Sequence, residues 1–138
     1  MSTILLIEDD QDLVESFKKI LKREGHTVIH AGSAENGLEL LGANPEVEMI
    51  LLDVQLPGMS GLECSTRIQQ SHSHLPVIIM TAFGSYSVAI EAIRQGAFDF
   101  VTKPFDVPNM LELIRQALGA AGQRDSAREF EADSGEAI

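Results

Sequence analysis

The sequence predicts a doubly wound α/β domain in which a five-stranded parallel sheet is covered by helices on both faces. Three observations predict it. Short aliphatic runs alternate with segments of helical periodicity, several of these runs are apolar at consecutive positions, and the alternation of strand and helix favours right-handed crossovers. In such sheets, ligands bind beyond the carboxyl ends of the strands. The residues at those ends are therefore the candidates for function.

Each element can be assigned from apolar spacing and boundary residues. The predicted strands are residues 3–8, 26–31, 47–53, 76–81 and 98–102. Boundary residues, in chain order, are Gly25 after the first helix, Ser33 before the second, Pro57-Gly58 before the third, Gly96 after the fourth and Asp106 before the fifth. Apolar residues that mark the five helices are Leu13, Phe17, Ile20 and Leu21; Leu38 and Leu41; Leu62 and Ile68; Ile90 and Ile93; and Met110, Leu111, Ile114 and Leu118.

Composition and charge narrow the range of functions. The 138 residues, 44% of them hydrophobic, suffice for one domain with its own core. The 10 basic and 21 acidic residues leave a net charge of −11, so direct binding to nucleic acid is not expected. With one cysteine, Cys64, no signal peptide and no membrane-spanning run, a cytoplasmic protein with no membrane contact is expected. Residues 120–138 are rich in Gly, Ala, Ser and acids, which is typical of a tail or linker.

Acidic residues follow the first and third predicted strands. Glu8, Asp9 and Asp10 come directly after the first strand, where acids commonly cap a helix. Asp53 ends the third strand, where an aspartate commonly forms a turn. If these strands are neighbours, the carboxylates converge and require a positive partner. Because Mg²⁺ prefers such oxygens and often shares its shell with phosphate, the pattern predicts a magnesium-assisted phosphoryl site.

The fourth and fifth strands end in groups that suit phosphoryl oxygens. Thr81 offers a hydroxyl and Ala82 a backbone N–H, and Lys103, before Pro104, offers an ammonium. Each of these residue types is common at strand ends or on surfaces when taken alone. Their convergence with the acids at one edge of one sheet favours a functional site.

Four segments resemble the characteristic blocks of the response-regulator receiver domain of two-component signalling. They are "ILLIEDD", "LLDVQLPGMSGLE", "VIIMTA" and "GAFDFVTKPF", in the order of the family. The resemblance covers residues 3 to about 119, which predicts a receiver domain over 1–119 and an acidic tail or linker start over 120–138. It implies the flavodoxin-like (βα)5 receiver fold with strand order 2-1-3-4-5.

Carried over by position, the resemblance implies a phospho-acceptor and a magnesium site. Asp53 is expected to accept the phosphoryl group and to bind the metal. Asp9 is expected to bind Mg²⁺ directly, and the backbone carbonyl of Gln55 to complete the protein's ligands. Glu8 stands where many relatives have Asp and is expected to act through water, whereas Asp10 is expected to cap the first helix.

The same resemblance implies phosphoryl-binding and switch residues. Thr81, Lys103 and the backbone of Ala82 are expected to bind the phosphoryl oxygens, and the Lys103-Pro104 peptide bond is expected to be cis. Thr81 and Phe100 are expected to form a switch that reports at the fourth helix, fifth strand and fifth helix. A strand phenylalanine is more often simple core, so the role of Phe100 depends on the resemblance.

The resemblance also implies partners and an output. The phosphoryl donor is expected to be a sensor histidine kinase or phosphotransfer protein, and the domain a switch that resets itself by hydrolysis instead of a turnover enzyme. The segment "MTAFGSYSVAIEAIRQGAFDFVTKPFD" resembles receivers of sigma-54-dependent activators or related transcription regulators. An output domain in a longer chain and a phosphorylation-dependent homodimer are both compatible with this resemblance.

Three alternatives were weighed against this interpretation. A haloacid-dehalogenase phosphatase requires a second acid two residues after its nucleophile, where this chain has Gln55. A flavodoxin-like cofactor module requires a Ser, Thr or Gly-rich loop where this chain has "EDDQD". A degenerate receiver that binds partners without phosphorylation stays open. His26 and His30 are assigned no function and are interpreted as strand-edge residues.

Overall fold

Five parallel strands form the centre of the computed structural model, which describes residues 2–82 and 86–119. The strands are β1 Thr3–Ile7, β2 Thr27–Ala31, β3 Val47–Asp53, β4 Val77–Ala82 and β5 Asp99–Lys103. Their order in the sheet is β2-β1-β3-β4-β5, and every neighbouring pair is parallel. The predicted fold class and strand order are confirmed.

Several helices begin where a side chain satisfies free backbone N–H groups. They are α1 Gln11–Arg23, α2 Ala34–Ala43, α3 Gly61–Ser71, α4 Tyr86–Arg94 and α5, residues 107–119. Asp10 caps α1 by accepting hydrogen bonds from the amides of Asp12 and Leu13, as predicted. Ser33 caps α2 and Ser60 caps α3 in the same way.

Two hydrophobic clusters lie on opposite faces of the sheet. One packs α1 and α5 against the sheet, and the other packs α2, α3 and α4. Alternate residues of β1 point to the two clusters, with Ile4 and Leu6 in the first and Leu5 and Ile7 in the second. Because both faces are covered, the central strands are apolar at most consecutive positions, which explains the runs seen in the sequence.

The strand boundaries differ from the predicted ones by one residue at several ends. Glu8 lies just beyond β1 instead of inside it, and β4 and β5 begin and end one residue later than predicted. Lys103 is therefore the last residue of β5 and takes its orientation from the sheet. In α4 the buried residues are Ala89 and Ala92, whereas Ile90, which marked this helix in the sequence, is 47% exposed.

Two sequence predictions fall on residues that are not described. The acidic tail or linker start, 120–138, and Gly84, in the loop between β4 and α4, both lie outside the described residues. Among the described residues, no helix is long and apolar enough to cross a membrane.

The start of α3 lies against the end of β3 so closely that only glycine fits there. A Cβ at Gly61 would lie 2.4 Å from Val54 Cα and 2.9 Å from the Asp53 carbonyl oxygen. We expect Gly61→Ala to lower the free energy of unfolding by about 1–3 kcal/mol, because backbone atoms must shift. Urea unfolding measures this change.

Gly42→Ala in α2 is the matched control. A Cβ there meets nothing within 4 Å, so this variant should be stabilised by about 0.5–1 kcal/mol through helix propensity. Equal stabilities of the two variants would contradict the close approach at Gly61.

Candidate functional site

Four strand ends converge at the carboxyl edge of the sheet. Glu8 follows β1, Asp53 ends β3, Thr81 lies near the end of β4 and Lys103 ends β5. Glu8 and Thr81 have no exposed surface, and Asp53 is 3% exposed. The parallel topology thus brings together side chains up to 95 residues apart in the chain.

Lys103 forms ion pairs with two of the acids. Its Nζ donates to Glu8 Oε1 at 2.7 Å and to Asp53 Oδ2 at 3.1 Å. The Lys103 side chain is 28% exposed, so it is less buried than the two carboxylates that it contacts. The peptide bond from Lys103 to Pro104 is cis, as predicted.

Further hydrogen bonds orient both buried carboxylates. Asp53 Oδ1 accepts from the backbone N–H of Gln55 at 2.9 Å, so its two oxygens have different partners. Glu8 Oε2 accepts from the backbone N–H of Asp9 at 3.1 Å, while Oε1 is held by Lys103. These bonds restrict the rotation of both side chains and preorganise the site.

Burial and proximity separate the pKa values of the two acids. Burial, together with the hydrogen bond to Asp53, raises the pKa of Glu8 to about 7. Burial alone would raise the pKa of Asp53, but the hydrogen bonds from Glu8, the Gln55 amide and Lys103 lower it. Burial lowers the pKa of Lys103, and its bonds to Glu8 and Asp53 more than compensate and raise it. Near neutral pH, Asp53 is thus the ionised carboxylate of the pair.

Three carboxylates form a cluster that fits a hard cation. One oxygen from each of Glu8, Asp9 and Asp53 lies within 4.8 Å of the others. Glu8 and Asp53 are buried, and Asp9 is exposed to solvent, which leaves one side open. An all-oxygen donor set with an open side suits Mg²⁺, which retains several water ligands.

The other predicted groups, the Thr81 hydroxyl and the Phe100 ring, belong to β4 and β5. The Thr81 hydroxyl donates to the Ala82 carbonyl at 3.3 Å. The half-buried Phe100 ring packs against the cluster of α2, α3 and α4, and its centroid is 6.1 Å from that of Tyr86 in an edge-on arrangement. Phe100 is paired with Ile79 in the middle of β4, and its ring lies beside the first residue of α4.

Two contacts of the site were not predicted from the sequence. Glu8 binds Lys103 directly, a contact that joins the ends of the first and fifth strands. His30, assigned no function, contacts the backbone carbonyl of Glu8 through its Nε2 atom at 2.8 Å. His30 lies one residue before the end of β2, an edge strand that pairs with β1. This position was the signal available in the sequence.

The fold and this edge of the sheet define a response-regulator receiver domain. Residues 4–115 match the family described as the response regulator receiver domain. The chain therefore belongs to this family, and the resemblance seen in four sequence segments is confirmed.

Curated relatives are bacterial regulators that are much longer than this chain. Response regulator protein FleR of Pseudomonas aeruginosa is 41% identical over 117 residues, covering 84% of this chain and 24% of FleR. The DNA-binding transcriptional regulator NtrC of Salmonella typhimurium is 34% identical over 130 residues, covering 93% of this chain and 27% of NtrC. The chain thus spans about a quarter of these relatives.

Solved receiver structures share the fold over nearly their whole length. The receiver domain of NtrX from Brucella abortus superposes with a TM-score of 0.80 at 31% identity, covering 84% of this chain and 98% of that one. A response regulator receiver domain protein from Clostridium thermocellum superposes with a TM-score of 0.85 at 27% identity, covering 89% of this chain and 98% of that one.

Removing the ionisable group of Glu8 should change how the stability of the metal-free protein depends on pH. Because the pKa of Glu8 is raised on folding, the folded state holds a proton between about pH 5 and 7 that unfolding releases. The free energy of unfolding of the wild type therefore falls as pH rises through that window. In Glu8→Gln this loss of about 1–3 kcal/mol should be absent. The lowered pKa of Asp53 makes the free energy of unfolding depend on pH only below this pH window.

Urea unfolding in EDTA at about pH 5.5 and about pH 8 measures the difference. Glu48→Gln, at a solvent-exposed position of β3, is the matched control and should keep the wild-type pH dependence. The same loss of stability in wild type and Glu8→Gln would show that Glu8 takes up no proton on folding.

Proposed function

We propose that Asp53 accepts a phosphoryl group from a phosphohistidine of a partner kinase or phosphotransfer protein, and that the aspartyl phosphate switches a surface on the domain. The position of the Asp53 carboxylate carries this proposal. It is ionised and nearly buried at the end of β3, and it is held between Lys103 and the Gln55 amide beside two further acids.

The transfer requires positioning and charge neutralisation more than covalent assistance from the protein. An Asp53 oxygen forms a bond to phosphorus as the bond from phosphorus to the donor's imidazole nitrogen breaks. The Lys103 ammonium, 3.1 Å from Asp53 Oδ2, is placed to pair with an oxygen of the incoming group. The Thr81 hydroxyl and the Ala82 amide provide donors at the neighbouring strand end.

Glu8, Asp9 and Asp53 would hold Mg²⁺, together with the backbone carbonyl of Gln55. The bound cation would neutralise charge on the phosphoryl oxygens and help to orient them. Of the three acids, Asp9 is the one exposed to solvent and is free of the Lys103 ion pair, which suits it to bind the metal directly. Glu8 is engaged by Lys103, which agrees with a role through water.

Hydrolysis of the mixed anhydride would restore the Asp53 carboxylate and release inorganic phosphate. The domain would then be a switch that resets itself, and not a turnover enzyme. A cytoplasmic location is part of this proposal, and the buried Cys64, with a pKa raised by burial to about 11, is compatible with a reducing compartment.

The relatives extend the proposal to the whole protein. FleR and NtrC are named as a response regulator and a DNA-binding transcriptional regulator, and this chain matches only about a quarter of each. We propose that the receiver, spanning 1–119, regulates transcription through an output domain attached beyond residues 120–138 in a longer protein, with phosphorylation promoting a homodimer.

Acetyl phosphate should phosphorylate this chain once, on Asp53, and only with Mg²⁺. Intact-protein mass spectrometry should show one added phosphoryl group on the wild type in MgCl₂, none in EDTA and none on Asp53→Asn. Asp9→Asn should slow phosphorylation by about tenfold or more, because it removes a metal ligand.

Asp10→Asn is the matched control for this test. Asp10 lies in the same acidic loop but caps α1, and asparagine is an equally good cap, so this variant should be phosphorylated at the wild-type rate. Phosphorylation of Asp53→Asn would place the acceptor elsewhere. No adduct on the wild type from either acetyl phosphate or a kinase would favour a degenerate receiver.

The output would arise at the face formed by α4, β5 and α5. A phosphoryl oxygen on Asp53 would compete for the Thr81 hydroxyl, which now donates to the Ala82 carbonyl. Movement of Thr81 would change the space open to the half-buried Phe100 ring, which contacts Tyr86 at the start of α4. Tyr86 and Ile90 are 38% and 47% exposed, so α4 presents apolar surface to a partner.

Tyr86 is an intrinsic probe of this switch, because the chain has one tyrosine and no tryptophan. Phosphorylation of the wild type should change the Tyr86 fluorescence as Phe100 moves. Thr81→Ala should still gain the phosphoryl group on Asp53 but should lose at least about half of the fluorescence change. A full change in phosphorylated Thr81→Ala would remove Thr81 from the switch.

A further inference from the structure

The peptide unit that joins Glu8 to Asp9 is held at both ends by side chains. Its N–H, on Asp9, donates to Glu8 Oε2 at 3.1 Å. Its carbonyl, on Glu8, lies 2.8 Å from His30 Nε2. A carbonyl oxygen only accepts hydrogen bonds, so Nε2 carries the proton in this contact.

The His30 ring contacts the Glu8 carbonyl at the point where the pairing of β1 with β2 ends. The Glu8 N–H donates to the Ala31 carbonyl at 3.0 Å, which extends the ladder between β1 and β2 by one bond. Beyond Ala31 the chain turns at Gly32 and reaches Ser33, the cap of α2, so β2 has no further residue to pair with the Glu8 carbonyl. His30 belongs to the same edge strand, paired with Leu6, and its ring supplies a donor at this point.

We propose that His30 is a positioning residue for the cation site, and this inference rests on the proposed function. By fixing the plane of the peptide between Glu8 and Asp9, the ring sets the directions in which both side chains leave the backbone. Two of the three clustered carboxylates therefore depend on one donor from an edge strand. Such partners of metal ligands commonly change metal affinity by about tenfold or more.

This role is independent of the charge on the ring. The neutral tautomer with its proton on Nε2 and the imidazolium both donate from that atom. A side chain with a donor at the same distance from the backbone should therefore replace His30, whereas an apolar side chain of similar size should not. Glutamine is the side chain with the donor, and leucine is the apolar one.

Titration with MgCl₂, followed by amide chemical shifts of the unphosphorylated full chain, tests the inference. His30→Leu should raise the dissociation constant for Mg²⁺ by about tenfold, and His30→Gln should stay within about threefold of the wild type. The rate of phosphorylation by acetyl phosphate should fall in His30→Leu at low Mg²⁺ and recover at saturating Mg²⁺. If His30 were needed only for folding, the loss of rate would not be confined to low Mg²⁺, and glutamine would not restore the affinity.

His26→Leu is the matched control, because His26 is half-buried and immediately precedes the other end of β2. It should leave Mg²⁺ affinity unchanged. The inference would be overturned if His30→Leu bound Mg²⁺ within about twofold of the wild-type affinity. It would also be overturned if the leucine and glutamine variants lost the same Mg²⁺ affinity. Either result would leave the proposed function intact. A wild type that binds no Mg²⁺ would overturn both.

The tautomer of His30 tests the contact without any variant. Long-range ¹H–¹⁵N correlation spectra of the wild type should show the proton on Nε2. A ring with its only proton on Nδ1 would overturn the inference, because Nε2 would then be an acceptor facing another acceptor. This measurement holds even if His30→Leu does not fold.

Discussion

The repulsion among three carboxylates at one edge of the sheet is the constraint around which this domain is built. Two of them, Glu8 and Asp53, are buried, where an uncompensated charge is costly. The Lys103 ammonium stands between them, and burial together with the hydrogen bond to Asp53 raises the pKa of Glu8 to about 7. Between about pH 5 and 7 the folded domain therefore holds a proton that unfolding releases.

Lys103 connects the acid cluster with the strand that carries Phe100. It binds Glu8 at 2.7 Å and Asp53 at 3.1 Å, and a phosphoryl group on Asp53 would compete for the same ammonium. Lys103 ends β5, the strand that also carries Phe100 and packs beside α4. One strand of five residues thus joins the acid cluster to the face formed by α4, β5 and α5.

Most of the fold could be predicted from the sequence, because each strand is a short aliphatic run and each helix has a clear cap or glycine boundary. Asp53, Thr81 and Lys103 could be placed at one edge because parallel strands end together. The direct Glu8 to Lys103 ion pair could not, since it depends on the reach of two flexible side chains. The contact of His30 with the Glu8 carbonyl was missed because it depends on strand register. Ile90 was assigned to helix four from its spacing, yet small alanines face the sheet there instead.

The two hydrophobic clusters lie on opposite faces of the sheet, and in the described residues each packs its own set of helices. The acidic loop leads into α1 on one face, whereas Phe100 and α4 belong to the other face. Because α5 packs with α1, the face formed by α4, β5 and α5 takes one helix from each cluster, with the edge strand β5 between them. A substitution in either cluster next to β5 can therefore alter the shape of that face, so neither half of the core can vary independently of it.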